Sequence, residues 1–250
     1  MTSKIHILSD LHLEFDDFSP PETDADIVIL AGDIHTGSDG LSWARKAFPD
    51  KEIIYVSGNH EFYHHLYDQL LAEFRWQAEA QQIHFLENRQ CVLNGIRFLG
   101  CTLWTDYNCY VEHSQEQSMQ LLGNSLADHK LIKKDLKGRL FSPEDALKLH
   151  EKSLDWLSYE LNQPFPGKTV VISHHGPSLD CKHRIYGHSD LAPGFYSDLS
   201  YLLDKSDYWI YGHTHSNLNI QHNQTHLIAN QRGYPNEEIK GFEPGLVITI

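Results

Sequence analysis

Three features of the chain predict an α/β fold. Short apolar, β-branched runs recur along it, several of them stop abruptly at polar residues, and helical stretches lie between them. The first run, Ile5–Leu8, ends in Ser9-Asp10-Leu11-His12. Ile27–Leu30 runs into Ala31-Gly32-Asp33, and Ile53–Val56 into Ser57-Gly58-Asn59-His60. A helix is expected from about Glu61 to Gln81, then a strand over Ile96–Trp104. The clearest helix opens at Ser142-Pro143-Glu144-Asp145, where an N-cap serine, a first-turn proline and two acids suit the helix dipole. It continues with Leu147, Leu154, Leu157 and Leu161 on one face. Thr169–Ile172 runs into Ser173-His174-His175-Gly176-Pro177, and a short helix is expected from about Phe195 to Leu203. Tyr208–Tyr211 runs into Gly212-His213-Thr214-His215, and His226–Ala229 and Leu246–Ile250 complete the strands. Runs that are apolar throughout read as strands buried on both faces.

The chain has 250 residues, 40 % hydrophobic and 22 % charged, and no repeat, low-complexity tract or linker, so residues 1–250 read as a single domain. A formal net charge of −14 argues against nucleic-acid or anionic-membrane partners, which require a surplus of Lys and Arg. Eighteen histidines raise the expectation of metal binding. Four cysteines without a C-x-x-C pair read as reduced structural thiols, and the opening residues show no signal peptide, which points to the cytoplasm. The longest strongly apolar run, Ile27–Ala31, falls short of the roughly 20 residues a membrane helix needs. The interval from Thr105 to about Lys168 is unusually long; a flap or insertion is expected at about 105–145. Its basic run, Lys130, Lys133, Lys134, Lys137 and Arg139, reads as a solvated helix face, the alternative being a flap that offers cations to a phosphorylated substrate. Oligomeric state is left open.

The polar residues that follow five of the strands are Asp10 and His12, Asp33, Asn59 and His60, His174, and His213 and His215. Ligands of α/β sheets bind outside the carboxyl ends of the strands, which would put all of these in one cleft. In D-x-H and H-x-H the two side chains are separated by one residue, so in an extended segment they point the same way. Glycines at 32, 58 and 212 permit tight exits from the strands. One such motif is weak in a chain this rich in histidine; five in order, each at a strand end, are specific.

This ordered set resembles the calcineurin-like metallophosphoesterases, whose motifs are D-x-H, G-D, G-N-H-[DE], a histidine shortly before proline, and G-H-x-H. They stand here as Asp10-Leu11-His12, Gly32-Asp33, Gly58-Asn59-His60-Glu61, His174-His175-Gly176-Pro177 and Gly212-His213-Thr214-His215, across about residues 5 to 215. More narrowly, Arg139-Leu140, Ser173–Pro177 and Arg232-Gly233-Tyr234 are similar to a group of bacterial members of unassigned substrate. The resemblance implies a four-layer α/β/β/α sandwich with two sheets face to face and helices outside. It implies two divalent metal ions, one held by Asp10, His12, Asp33 and His215, the other by Asp33, Asn59, His174 and His213, with Asp33 bridging. Such a pair generates a bridging hydroxide and clamps a phosphoryl group for in-line attack. His60 would stand beside the leaving-group oxygen as general acid or charge stabiliser. Carboxylates, an amide and imidazoles without thiolate favour manganese or iron, with zinc admissible. The implied substrate is a small phosphorylated molecule, with a phosphodiester or cyclic nucleotide ahead of a phosphomonoester. His174 is preferred to His175 because the family histidine follows Ser or Thr directly. His35, His183 and His188 are expected to line the cleft or face solvent, and Arg232 to lie in a surface loop rather than on phosphate.

Competing readings are weaker. His60-Glu61-x-x-His64 matches the zinc-peptidase pattern, which needs both histidines on one face of a helix; here Gly58-Asn59 follows a strand and puts His60 at a loop-to-helix junction. A catalytically silent scaffold of the same fold is the alternative function, and the complete ligand set argues against it. Lipid-precursor pyrophosphatases carry an arginine in the place of His60, and purple acid phosphatases a tyrosine in the place of Thr36.

Overall fold

A computed structural model describes residues 2–109, 112–183, 187 and 189–250, so His188 lies outside the described residues. In chain order the elements are β1 (Lys4–Leu8), β2 (Ile27–Ala31), α1 (Asp39–Ala47), β3 (Glu52–Val56), α2 (Tyr67–Ala80), β4 (His84–Phe85), β5 (Arg89–Leu93) and β6 (Ile96–Cys101). There follow α3 (Gln115–Ser125), α4 (Asp128–Leu131), α5 (Pro143–Leu161), β7 (Thr169–Ser173), α6 (Ser200–Leu203), β8 (Tyr208–Tyr211), β9 (Leu218–His222), β10 (Thr225–Ala229) and β11 (Val247–Thr249).

The strands form two mixed sheets, ordered β11-β1-β2-β3-β4 and β5-β6-β7-β8-β10-β9. In the first, β1 to β4 are parallel and β11 is antiparallel to β1; in the second, β6, β7, β8 and β10 are parallel and the two edge strands antiparallel. Side chains alternate across each strand, and the core divides accordingly. Ile27, Ile29 and Ala31 of β2 join Ile5, Ile7, Ile54, Val56, Phe98 and Ile172 in a layer between the sheets. Val28 and Leu30 face the other way and pack with Leu41 of α1 and Leu70 and Phe74 of α2. On the second sheet Val171, Trp209 and Leu227 pack outward with Leu157 of α5 and Leu202 of α6. The layers are therefore α/β/β/α in a single domain, as expected, and among the described residues no helix is long and apolar enough to cross a membrane.

Three expected elements are shorter than their patterns. The helix expected from Glu61 begins only at Tyr67 of α2; His60–Phe62 is a single 3₁₀ turn. Between them His64 takes a left-handed backbone (φ 67°). The segment pairs with the chain beyond α4, His64 N–H donating to Leu131 at 2.9 Å and Lys133 N–H to His65 at 2.9 Å. Tertiary pairing there overrides local helix propensity. The strand expected to reach Trp104 ends at Cys101, because Leu103 and Trp104 are left-handed (φ 72° and 53°). The helix expected over Phe195–Leu203 is reduced to α6, since the Phe195 carbonyl accepts the Gly176 N–H and the Ser197 N–H donates to the Gly176 carbonyl.

Candidate metal centre

The parallel strands β1, β2, β3, β7 and β8 end toward one rim, and their polar followers meet there. Asp10, His12, Asp33, Asn59, His60, His174 and His213 are all buried, and His215 is half-buried. Convergence does not come from extended backbone, as the one-residue spacing suggested. Asp10, His12, Asp33, His213 and His215 all have positive φ, between 46° and 68°. The chain coils as it leaves each strand, which aims alternate side chains at one point. Asp and His tolerate this region better than most residues, yet each such position costs about 1–3 kcal/mol and has to be held by its surroundings. The holding bonds are visible: Asp10 N–H donates to Gly32 and His12 N–H to Asp33, each at 3.0 Å, and His213 N–H donates to Asp10 Oδ1 at 2.9 Å. Glycine is required where these loops touch. Gly32 has φ 91°, and a Cβ there would collide with the His174 ring; at Gly58 it would collide with Asp33.

Among the described residues, three groups of side chains that could hold a metal result: Asp10 with His12 and His215, Asp33 with His174 and His213, and His12 with Glu14 and His60. The first two are those the sequence expects. In the first, His12 Nε2 and His215 Nε2 face each other at 3.1 Å and Asp10 Oδ1 is 3.5 Å from His215 Nε2. In the second, His174 Nε2 lies 3.3 Å from Asp33 Oδ2, 3.2 Å from His213 Nδ1 and 3.0 Å from Asn59 Oδ1. Asp33 Oδ2 is also 4.0 Å from His12 Nε2, while Asp33 Oδ1 accepts the His60 N–H at 2.8 Å. One oxygen of Asp33 thus faces these two groups and the other is tied to backbone.

The outer nitrogens of His174, His12 and His215 are engaged, which leaves their inner nitrogens available to a metal. His174 Nδ1 donates to Ala31 carbonyl at 3.0 Å, His12 Nδ1 pairs with Glu14 at 3.3 Å and His215 Nδ1 with Glu237 at 2.5 Å. His213 Nε2 has no hydrogen-bond partner among the described residues. Lone pairs converging with carboxylates in a buried space are a fit for divalent cations, because burying them without a compensating charge is costly. The electrostatics agree. Burial raises the pKa of the Asp33 carboxyl, but the His174, His60 and His12 rings outweigh it and hold it well below the usual range. Burial lowers that of His174, but Asp33 raises it to about 9. These carboxylates draw positive charge to the site, whether proton or metal.

His60 stands beside the first two groups rather than in the Asp33 cluster. Its Nδ1 is 2.9 Å from Glu14 and its Nε2 is 2.9 Å from the Tyr234 hydroxyl. Burial lowers its pKa, and the Asp33 and Glu14 carboxylates reverse that to a net rise. Glu61 is no general base: it is fully buried and accepts the N–H groups of Asp33, Ile34 and Gly58 and the Tyr55 hydroxyl, at 2.8–3.1 Å. His64 is exposed and belongs to none of the three groups. His175 is buried behind His174, against Trp104, with Nδ1 on Thr102 carbonyl at 3.2 Å. Arg232 holds the loop after β1 through Leu11, Asp16 and Asp17, and His35 bonds Thr36 carbonyl at 2.9 Å.

A cavity of about 410 Å³ opens over the groups. His183 is at its edge, and Leu126, Ala127, Leu191, Ala192 and Phe195 give it an apolar wall. The basic run of the long interval is not among its described lining residues; Lys134 pairs with Asp68 at 3.1 Å and Arg139 with Asp145 at 2.5 Å. The interval brings an acid instead, Asp128, hydrogen-bonded to Asn59 at 2.7 Å. Asp128 and Glu237 carry no signal in the sequence, since they lie in connections with no fixed spacing from the strand ends; Tyr63 is not singled out by any motif, and Tyr234 only as part of the Arg232-Gly233-Tyr234 resemblance. Glu14 has a signal that the motif reading leaves unused, two residues after His12 in an alternating D-x-H-x-E string.

The calcineurin-like phosphoesterase family profile matches residues 3–217. The chain belongs to that family. As a calcineurin-like phosphoesterase it is a metal-dependent phosphoester hydrolase acting on phosphorylated molecules. It is 27 % identical to uncharacterized protein L509 of Acanthamoeba polyphaga mimivirus, over 98 % of this chain and 96 % of that one. Among solved structures it is similar to a phosphopantetheinyl hydrolase from Mycobacterium tuberculosis (TM-score 0.77, 17 % identity, 99 % of this chain and 95 % of that one). It is also similar to the TT1561 protein of Thermus thermophilus (TM-score 0.51, 11 % identity, 92 % and 90 %). At these identities the structures speak for the fold of this phosphoesterase, not for its substrate.

Proposed function

We propose that the chain is a dinuclear metal-dependent phosphodiesterase acting on a small ester. The observation that carries this reading is the pair of ligand groups on either side of Asp33 Oδ2. Asp10, His12, Asp33 and His215 would hold one divalent cation, and Asp33, Asn59, His174 and His213 the other. Nitrogen and oxygen donors without thiolate favour manganese or iron, with zinc admissible. When bound, the cations supply Lewis-acid polarisation of the phosphoryl oxygens and a water of lowered pKa.

The protein's own groups do the rest. Glu14 accepts from His60 Nδ1, which fixes the ring so that Nε2 faces the cavity beside the Tyr234 hydroxyl. From there Nε2–H donates a proton to the departing oxygen. The apolar wall excludes water from the ester chain. Five carboxylates surround the groups, Asp10, Glu14, Asp33, Asp128 and Glu237, and no Lys or Arg is among the described residues lining the cavity. Repulsion from this acidity favours the single negative charge of a diester over the double charge of a monoester. The 105–145 interval is read as the flap that completes the wall.

The test is a manganese-supplemented screen with metal-free controls. It includes bis-p-nitrophenyl phosphate, p-nitrophenyl phosphate, cyclic nucleotides and a phosphopantetheinyl ester, the last because of the similar hydrolase. Diester turnover with little monoester turnover is expected; strong monoester hydrolysis without diester turnover overturns the preference. Asp33→Asn is expected to abolish activity and weaken both metals, and a variant that keeps two tight ions per chain by elemental analysis would sink the bridging role.

A further inference from the structure

Among the residues expected to bind metal, Asn59 is oriented from outside its own strand exit. Its Nδ2 amide donates to Asp128 Oδ1 at 2.7 Å and to the Tyr63 hydroxyl at 3.1 Å, and Tyr63 donates to the same Asp128 oxygen at 2.8 Å. A carboxylate oxygen accepts and does not donate, so the amide nitrogen has to face Asp128. The amide oxygen then has to face the ligand group, and it lies 3.0 Å from His174 Nε2. A reversed amide would set oxygen against carboxylate and present N–H to a cation, and it is repulsive on both sides.

Asp128 is 3 % exposed and opens α4, inside the interval between β6 and β7. That position is pinned. The chain just beyond α4 pairs with residues 64–67, and Lys133 accepts the Tyr67 N–H at 3.0 Å. The strap between the 3₁₀ turn carrying His60 and helix α2 is thereby bonded to the segment carrying Asp128. In the other group the outer nitrogens are taken by Glu14 and Glu237 instead.

We infer that Asp128 is the positioning residue of the second cation site: it locks Asn59 with Oδ1 toward Asp33, His174 and His213, and so sets that site's affinity without touching the ion. The inference rests on the two-cation reading above. It also gives the long interval a second task, since the insertion that walls the cavity supplies the anchor for a ligand. The selectivity is the sharp part. A residue that merely supports the fold would affect both sites, whereas Asp128 acts on one.

The test is a calorimetric titration of the metal-free protein with Mn²⁺, supported by elemental analysis after dialysis. Asp128→Ala is expected to weaken one site by about 10–100-fold, the usual effect of removing a group that orients a ligand, and to leave the other unchanged. The weakened site should be the one lost in Asn59→Ala, and the double variant should bind no more weakly than Asn59→Ala alone. Asp128→Asn keeps an accepting oxygen for Asn59 and Tyr63 and is expected to restore the parent titration. Two parent-like affinities in Asp128→Ala, equal weakening of both sites, or additive losses in the double variant would each overturn the positioning role. A parent chain that binds fewer than two ions overturns the two-cation reading itself. If Asp128→Ala does not fold, Asp128→Leu, which keeps the branched shape of Asp without an acceptor, takes its place in the same titration.

Discussion

His60, Glu61 and His64 lie within five residues, and the structure gives them three unrelated tasks. His60 Nε2 faces the cavity with Glu14 behind it, so His60→Gln is expected to keep both metals and lose turnover by roughly 10²–10⁴-fold, the range for a positioned proton donor. The loss should shrink for p-nitrophenyl esters, whose leaving group hardly needs a proton; an equal loss on alkyl and aryl esters would remove His60 from that role. His64 is exposed, and His64→Gln should be silent in metal content and rate. Glu61 is different again, because four donors converge on its two oxygens, three N–H groups from the loops that carry Asp33 and Asn59 and the Tyr55 hydroxyl of β3. Glu61→Gln turns an N–H against one of those donors, and the unmet bond should lower stability by about 1–3 kcal/mol in urea unfolding. Unchanged stability would mean the loops find other acceptors. The strand-end residues were legible because the family motifs that they match keep residue type and spacing at each strand exit. Their orienting partners were not, since any acceptor of the right reach serves and sequence distance is irrelevant: Asp128 reaches Asn59 across 69 positions.

At the scale of elements, the sequence pattern was clearest where local and tertiary signals agree. Helix α5 starts at Pro143 with the Ser142–Asp145 capping box in place, each side chain bonding the other's backbone N–H. Ser142→Ala is expected to cost about 1 kcal/mol, measured by denaturant midpoint at constant slope. Burial raises the pKa of Asp145, but the Arg139 hydrogen bond and the Ser142 N–H outweigh it and hold it below its usual value. A depressed carboxylate stabilises the fold above its unfolded pKa of about 3.9 and loses that contribution as pH falls through the lower folded value. The melting-temperature gap between parent and Asp145→Asn should therefore be full at neutral pH and close in acid. A gap that widens in acid would refute the assignment. The edge strands β5 and β9 went unread because exposed residues interrupt each, Arg89, Gln90 and Val92 in one and Asn219 and Gln221 in the other, which breaks the apolar run. The over-long helix from Glu61 fails for the opposite reason: its local pattern is helical, and backbone pairing to Leu131 and Lys133 wins.

At the scale of the whole molecule, the proposed ligand histidines His12, His174, His213 and His215 would make activity dependent on pH. Protonated imidazole cannot ligate, and Asp33 raises the His174 pKa to about 9, so the proton competes with metal below about pH 9 and metal occupancy and turnover should fall together as the pH drops. Full occupancy by elemental analysis at pH 5 would contradict this. Each of the two proposed cation sites also draws on both sheets. Asp10 and His12 follow β1 of the first sheet and His215 follows β8 of the second, while Asp33 and Asn59 follow β2 and β3 and meet His174 and His213 from β7 and β8. Elsewhere the sheets meet mainly through apolar side chains such as Ile29, Phe98 and Ile172, which cohere without direction. Cations bound as proposed would be directional rivets across the open end of a sandwich. Free metal at 1,000 times its dissociation constant would add about 4 kcal/mol per site to the folded state. Chelation should loosen the structure unevenly, so that amide exchange quickens first at the exits of β1 and β8 while amides under the middle layer stay protected. The strained, left-handed exits that aim the ligands would then be the first backbone to relax, making the catalytic end of the protein the end from which it unzips.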